Sequence, residues 1–538
     1  MGQRSGGNEG KAVDIIDRVR RHVVALCLLL FAASALRFAV TGAPGLDDIA
    51  HLQAIALPLP DLLGWIAGSD ATGLRPAPSH AASLPLLLDA LLWRIDPFGL
   101  TGLRLLHLAM ALAAFGLLLR AVAMRMDRRT ALVAGLLIAL SPRLIEAVTN
   151  LGPDPYVVII FCCQLAILLT RGKIGGRDPL LLLCILGVLA ALCGVAGALA
   201  TLTLFAMLLV AAPDRAEARH RLRAALRTLP ALLIPIALQI GFGPPADTPT
   251  LELLIGFANK LLAHNADLLL PTGVLLRVPG IALLILIGMI GLARRLRAHG
   301  PSERTHPFAV LLAGCVAGAL LVLVAGPLLR LHDWSEPTRH AWLSLLVGLL
   351  AATAFTPRLI SADEALRRIR LAGAGAMIAG ALVGTIAYHY RADWFGAASQ
   401  AGLDRALAAA GPRAAIVYTG ADWERAYVPH RWLRGPAAND QWLLTGDGRH
   451  VQHLLPDGRL SDVRQAPDAL DGHAALVLVR IDRRGWRDLR NVVNSAAASA
   501  MPPARLDHFS PMWRADPAQA APGEYWLTTQ ILRRKDAF

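Results

Sequence analysis

Long apolar runs alternate with short, polar, arginine-bearing segments over the first 390 residues of the chain. The runs lie near 101–124, 130–148, 155–170, 179–196, 198–212, 229–242, 273–293, 307–328, 340–356 and 371–388. An earlier run, Val23–Val40, is broken only by Arg37. About 20 apolar residues in a helix cross the hydrocarbon core of a bilayer, so the pattern predicts eleven transmembrane helices. Ala33-Ser34-Ala35 has the small residues of a signal-peptide cleavage site. The run is nearly long enough to span and many spans follow it, so we read it as an uncleaved first helix. Two shorter segments differ. Residues 55–67 are amphipathic and carry Trp65, and residues 82–95 are apolar but short. Both read as helices lying in the membrane interface.

The character changes after Tyr388. No long apolar run follows, and short β-like runs appear at 414–419, 474–481 and 525–532, with helix-like stretches at 404–410 and 487–500. Short apolar runs bounded by Gly, Pro and Asp read as strands. The sequence therefore predicts a polar N-terminal segment (1–22), a transmembrane helix bundle (23–390) and a small α/β domain (391–538). The fold class is mainly α.

Composition agrees. The chain has 538 residues, of which 55% are hydrophobic and only 17% charged. A soluble surface needs about 25–35% charged residues, so a purely soluble enzyme is excluded. The formal net charge of +14 first suggests either nucleic acid or a sidedness signal. Its distribution decides. With the N-terminus inside, the predicted cytoplasmic segments hold 25 Lys/Arg and the outer loops only 5, namely Arg75, Arg94, Lys260, Arg330 and Arg339. The excess is a topology signal, and no nucleic-acid partner is expected. Eleven spans then place the C-terminal domain outside, in the periplasm of a Gram-negative cell. All six cysteines lie in apolar runs, none after Cys315, and read as small hydrophobes.

Candidate chemistry lies among the polar residues of the outer face, where ionisable groups near a membrane are costly. Asp47 and Asp48 stand in Gly45-Leu46-Asp47-Asp48-Ile49-Ala50-His51. Taken alone, the pair also reads as a solvated turn with one Asp capping a helix. Asn150-Leu151-Gly152-Pro153-Asp154-Pro155-Tyr156 forms the next outer loop, and Asp154 there reads equally as a cap of a helix beginning at Pro155. His80 precedes the second interfacial helix, Arg104 begins a span, and Arg339-His340 stands at the mouth of another. Either Arg could simply snorkel to headgroups. Together, carboxylates that can deprotonate a hydroxyl and guanidinium groups that can hold a phosphate collect on one face. That combination suits group transfer from a lipid phosphate.

The order of these features resembles the GT-C superfamily of membrane glycosyltransferases, in particular the bacterial relatives of protein O-mannosyltransferases and of the lipid A aminoarabinose transferase. The resemblance rests on Asp47-Asp48-Ile49-Ala50-His51, Ser79-His80-Ala81-Ala82-Ser83-Leu84, Arg104-Leu105-Leu106, Arg128-Arg129, Ala139-Leu140-Ser141-Pro142, Asp154-Pro155-Tyr156 and Arg339-His340-Ala341-Trp342-Leu343. It covers roughly residues 20–390. The two prolines that follow the histidine in the family are absent after His80, and Asp48 stands where Glu is more usual.

The resemblance implies transfer of a sugar from a polyprenyl-phosphate donor to an envelope lipid, glycan or protein acceptor, at the outer face of a bacterial inner membrane and with inversion. In it Asp47 is the base and Asp48 its catalytic neighbour. Arg339, with Arg104, His80 or Lys260, would hold the phosphate. His51, Asp154, Tyr156 and His340 complete the substrate-binding set. A divalent metal ion held by Asp48 and Asp154 is compatible with the family. The interfacial helices would wall a lipid channel. Three rivals stand beside this reading: a transporter or flippase of lipid-linked sugars, which needs polar groups near the midplane; a non-enzymatic membrane scaffold; and an O-antigen ligase or polymerase.

Overall fold

The computed structural model describes residues 22–41, 51, 54–56, 58–66, 83–95, 99–170, 179–212, 214–242, 271–299, 307–328, 340–355, 364–393, 399–411, 413–419, 439–444, 450–454, 461–465, 469–470, 472–483, 509–514 and 525–534. They divide into two compact units, with the change at Tyr388–His389.

The first unit is all helical. Its elements are α1 (Val23–Thr41), α2 (Leu59–Ile66), α3 (Ser83–Ile95), α4 (Gly99–Arg125), α5 (Arg128–Ala139), α6 (Pro142–Thr149), α7 (Pro153–Thr170), α8 (Pro179–Ala191), α9 (Val195–Val210), α10 (Arg215–Phe242), α11 (Pro271–His299), α12 (Pro307–Leu328), α13 (Ala341–Thr353) and α14 (Glu364–Asp393). Among the described residues five helices are long and apolar enough to cross a membrane: α1, α4, α7, α12 and α14. Several turn large apolar side chains outward, such as Leu29 on α1 and Leu320 on α12. Such faces have no place in water, and the chain is a multi-pass membrane protein.

Helices occupy every predicted span, but not every one is a full crossing. The run predicted at 130–148 is broken: α5 and α6 meet at 63°. The cause is Pro142, which has no N–H to continue the helix and forces Ser141 out of the α region; Ser141 is extended at φ −99°, ψ 106°. The runs at 179–196 and 198–212 become the shorter apolar helices α8 and α9, parted at Gly194, whose φ is +100°. The run at 229–242 is the second part of the 28-residue α10, whose first part carries the arginines predicted for a loop. Asp214 caps it, its Oδ1 accepting from the backbone N–H of Ala216 and Glu217 at 2.8 Å. The interfacial segments appear as α2 and α3.

Close approach fixes where α8 meets α9. A Cβ on Gly197 would lie 1.8 Å from the carbonyl oxygen of Ala190, whereas one on Gly375 of α14 would meet nothing within 4 Å. Gly197→Ala must push backbone against backbone, so it is expected to destabilise by about 3 kcal/mol, the upper end of overpacking costs. Gly375→Ala is expected to leave the melting temperature unchanged. Thermal melts of both variants in detergent check this.

The second unit holds α15 (Ser399–Ala410) and strands β1 (Ala414–Thr419), β2 (Gln441–Leu444), β3 (His450–His453), β4 (Arg464–Gln465), β5 (Ala475–Arg483), β6 (Phe509–Arg514) and β7 (Tyr525–Arg534). They form one sheet in the order β4-β3-β2-β1-β5-β7-β6. β1 runs parallel to β2 and β5, and the outer pairings are antiparallel. β1 is buried on both faces, as a central parallel strand must be. Ala414, Ile416 and Tyr418 pack with Leu403 and Ala406 of α15, while Ala415 and Val417 pack with Trp442 and Leu476. The three predicted strands are β1, β5 and β7. The other four are short or polar and carry no clear alternation. The stretch predicted as helical at 487–500 lies outside the described residues.

Candidate functional site

The first unit gathers its polar chemistry around Asp89, on α3. Leu86, Asp89, Ala90 and Trp93 follow the i, i+3, i+4, i+7 spacing of one helix face. Leu86, Ala90 and Trp93 pack into an apolar cluster with Ile55, Leu62, Leu103 and Leu151. The carboxylate is thereby carried into the protein on the apolar stripe of its own helix, and its residue has no exposed surface.

Three other segments bring partners to it. His51, between α1 and α2, places Nε2 2.7 Å from Asp89 Oδ2. His107, on α4, places Nε2 3.0 Å from Oδ1. The Tyr156 hydroxyl, in the first turn of α7, donates to Oδ1 at 2.5 Å and lies 3.3 Å from His107 Nε2. The His107 and Tyr156 rings meet edge to face, with centroids 5.1 Å apart. Gly152, at φ +105°, makes the turn that starts α7. That helix begins at Pro153, two residues before the predicted Pro155, so Asp154 lies within the first turn instead of before it.

Asp89 is a buried carboxylate with three hydrogen-bonding neighbours. Burial alone raises its carboxyl; the attraction and hydrogen bonds of His107, and then of His51, outweigh this and hold it below the usual carboxylate range. A buried charge survives only when it is hydrogen-bonded, and here both carboxylate oxygens have partners.

The structure joins two residues singled out from the sequence, His51 and Tyr156, through two that sequence reasoning missed, Asp89 and His107. Arg104 is buried on α4, one turn before His107; residues three apart share a helix face. Asp154 stands half-buried beside Tyr156 on α7. His340 is buried at the start of α13, a helix tied to α7 by the edge-to-face contact of Trp342 with Phe161 at 5.5 Å. Asp47, Asp48, His80, Lys260 and Arg339 lie outside the described residues. Among the described residues no group of three or more His, Cys, Asp or Glu is arranged to hold a metal ion. Of the two carboxylates expected to serve one, only Asp154 is described.

No protein-family model matches the chain, and no curated protein matches it. Among solved structures, it is similar to the crystal structure of ArnT from Cupriavidus metallidurans bound to undecaprenyl phosphate. The two share 14% identity at a TM-score of 0.42, over 94% of this chain and 97% of that one.

The signal that would have found Asp89 is a lone carboxylate on the inward stripe of an otherwise apolar helix. Its length made that helix legible as interfacial, but the sequence gives no means of pairing Asp89 with His107, 18 residues away, or with Tyr156, 67 residues away.

Proposed function

We propose that this chain is an integral membrane glycosyltransferase. It moves a sugar from a polyprenyl-phosphate donor to an envelope lipid, glycan or protein, at the outer face of a bacterial inner membrane, with Asp47 as base. The observation that carries the reading is the meeting at Asp89 of four segments: the one that ends Asp47-Asp48-Ile49-Ala50-His51, the interfacial helix that follows Ser79-His80, the helix of Arg104 and the turn Asp154-Pro155-Tyr156. Each carries a piece of the family resemblance, and they are distant in sequence.

In the proposed reaction Asp47 takes the proton of an acceptor hydroxyl. The acceptor oxygen bonds to the anomeric carbon as the bond to the phosphate oxygen breaks, and the lipid phosphate leaves with that electron pair. Arg339 and Arg104 are the guanidinium groups suited to that phosphate, with His80, Lys260 and His340 as further donors. Asp48 and Asp154 orient acceptor and sugar, and are the carboxylates available to a divalent ion.

Mass spectrometry of lipid A, glycolipids and envelope glycans from cells with and without the gene tests the reading. Loss of one sugar from one acceptor is expected. Accumulation of the unmodified lipid-linked sugar on the inner leaflet would instead favour a transporter, and an unchanged envelope a scaffold.

A further inference from the structure

A carboxylate accepts hydrogen bonds and donates none, so every group facing Asp89 brings a proton to it. For His51 that proton is on Nε2, 2.7 Å from Oδ2, which leaves Nδ1 as the lone-pair nitrogen of the neutral ring. His107 also faces Asp89 through Nε2, but its Nδ1 is buried and has no hydrogen-bond partner among the described residues. A second proton on His107 would leave a buried N–H unbonded. His51 is the ring suited to take one. Its side chain keeps 8% of its surface, whereas those of Asp89 and His107 keep none.

We propose that Asp89 is the positioning residue of this site: it fixes His51 as the Nε2–H tautomer, so that His51 Nδ1 receives the proton released during transfer, while His107 and Tyr156 hold the carboxylate in place. This rests on the glycosyltransferase reading for the source of the proton. The acceptor O–H bond breaks as the new glycosidic bond forms. That proton ends on His51 Nδ1, and the imidazolium that results is balanced by Asp89 before it returns the proton to water. Nothing is oxidised or reduced. Asp89 has no surface with which to touch substrate, so it acts through His51.

Nitrogen-15 NMR of histidine-labelled full-length protein in lipid nanodiscs reads the tautomer without any substrate. His51 is expected to be Nε2–H in the parent. In Asp89→Asn, whose amide can donate to Nε2, it is expected to switch to Nδ1–H. An Nδ1–H ring in the parent overturns the proposal.

Kinetics on the donor and acceptor found by mass spectrometry supply the second arm. Asp89→Asn is expected to lower kcat by about 10²-fold, with KM within about twofold. Combined with His51→Gln, the losses are expected not to add; multiplicative losses overturn the proposal. Should Asp89→Asn fail to fold, His107→Gln, which loosens the same carboxylate, is taken through the same cycle. If Asp47→Asn retains transfer, the functional reading itself fails. If Asp47→Asn is inactive while the cycle is additive, only the role given to Asp89 fails.

Discussion

Asp47→Asn is expected to insert and melt as the parent does and to lose sugar transfer by about 10²–10⁴-fold, the range that a positioned general base contributes. The amide matches the carboxylate in shape but does not take up a proton near neutral pH. A loss in kcat with little change in KM is expected, because the interaction removed is made in the transition state. Asp48→Asn, at a residue proposed to orient the acceptor, is expected to cost less and to raise KM. Rates measured beside thermal melts in the same detergent separate lost chemistry from lost fold. Full activity in Asp47→Asn sinks the assignment of the base.

The largest expected effect on stability follows Asp89→Ala. The carboxylate accepts from His51, His107 and Tyr156 inside the first unit, and its removal leaves three buried donors without an acceptor. Breaking a buried charged network by deleting one member costs about 3–5 kcal/mol. The lost contacts also loosen the junction of α3, α4 and α7, whose surrounding cluster includes Leu86, Ala90 and Leu103. A large drop in melting temperature and poor recovery from detergent are expected. Asp89→Asn keeps the side chain's volume and one carbonyl acceptor, so it is expected to cost markedly less. Equal melting temperatures for the parent and Asp89→Ala would mean that the network contributes nothing to the fold.

Only part of the site was legible in the sequence. His51 and Tyr156 could be read from the sequence because they stand beside distinctive neighbours, an acidic pair in one case and a Gly-Pro turn in the other. Asp89 and His107 lie inside apolar helices, where a single polar residue is outweighed by the run around it. Arg104 was legible as a charge at a helix mouth. Its burial was not, since a guanidinium at that depth can equally snorkel outward.

By itself the sequence determined that this is a multi-pass, mainly helical membrane protein followed by a mixed α/β domain. It also located nearly every helix, because hydropathy over some twenty residues is a local property that the bilayer reads directly. Tertiary structure decided the rest: the break at Ser141-Pro142, the merging of a predicted loop into α10, the order of the seven strands and the meeting of four segments at Asp89. Each depends on contacts between residues far apart in the chain. A buried carboxylate is stable only where several such segments bring it donors at once, and no local pattern encodes that coincidence.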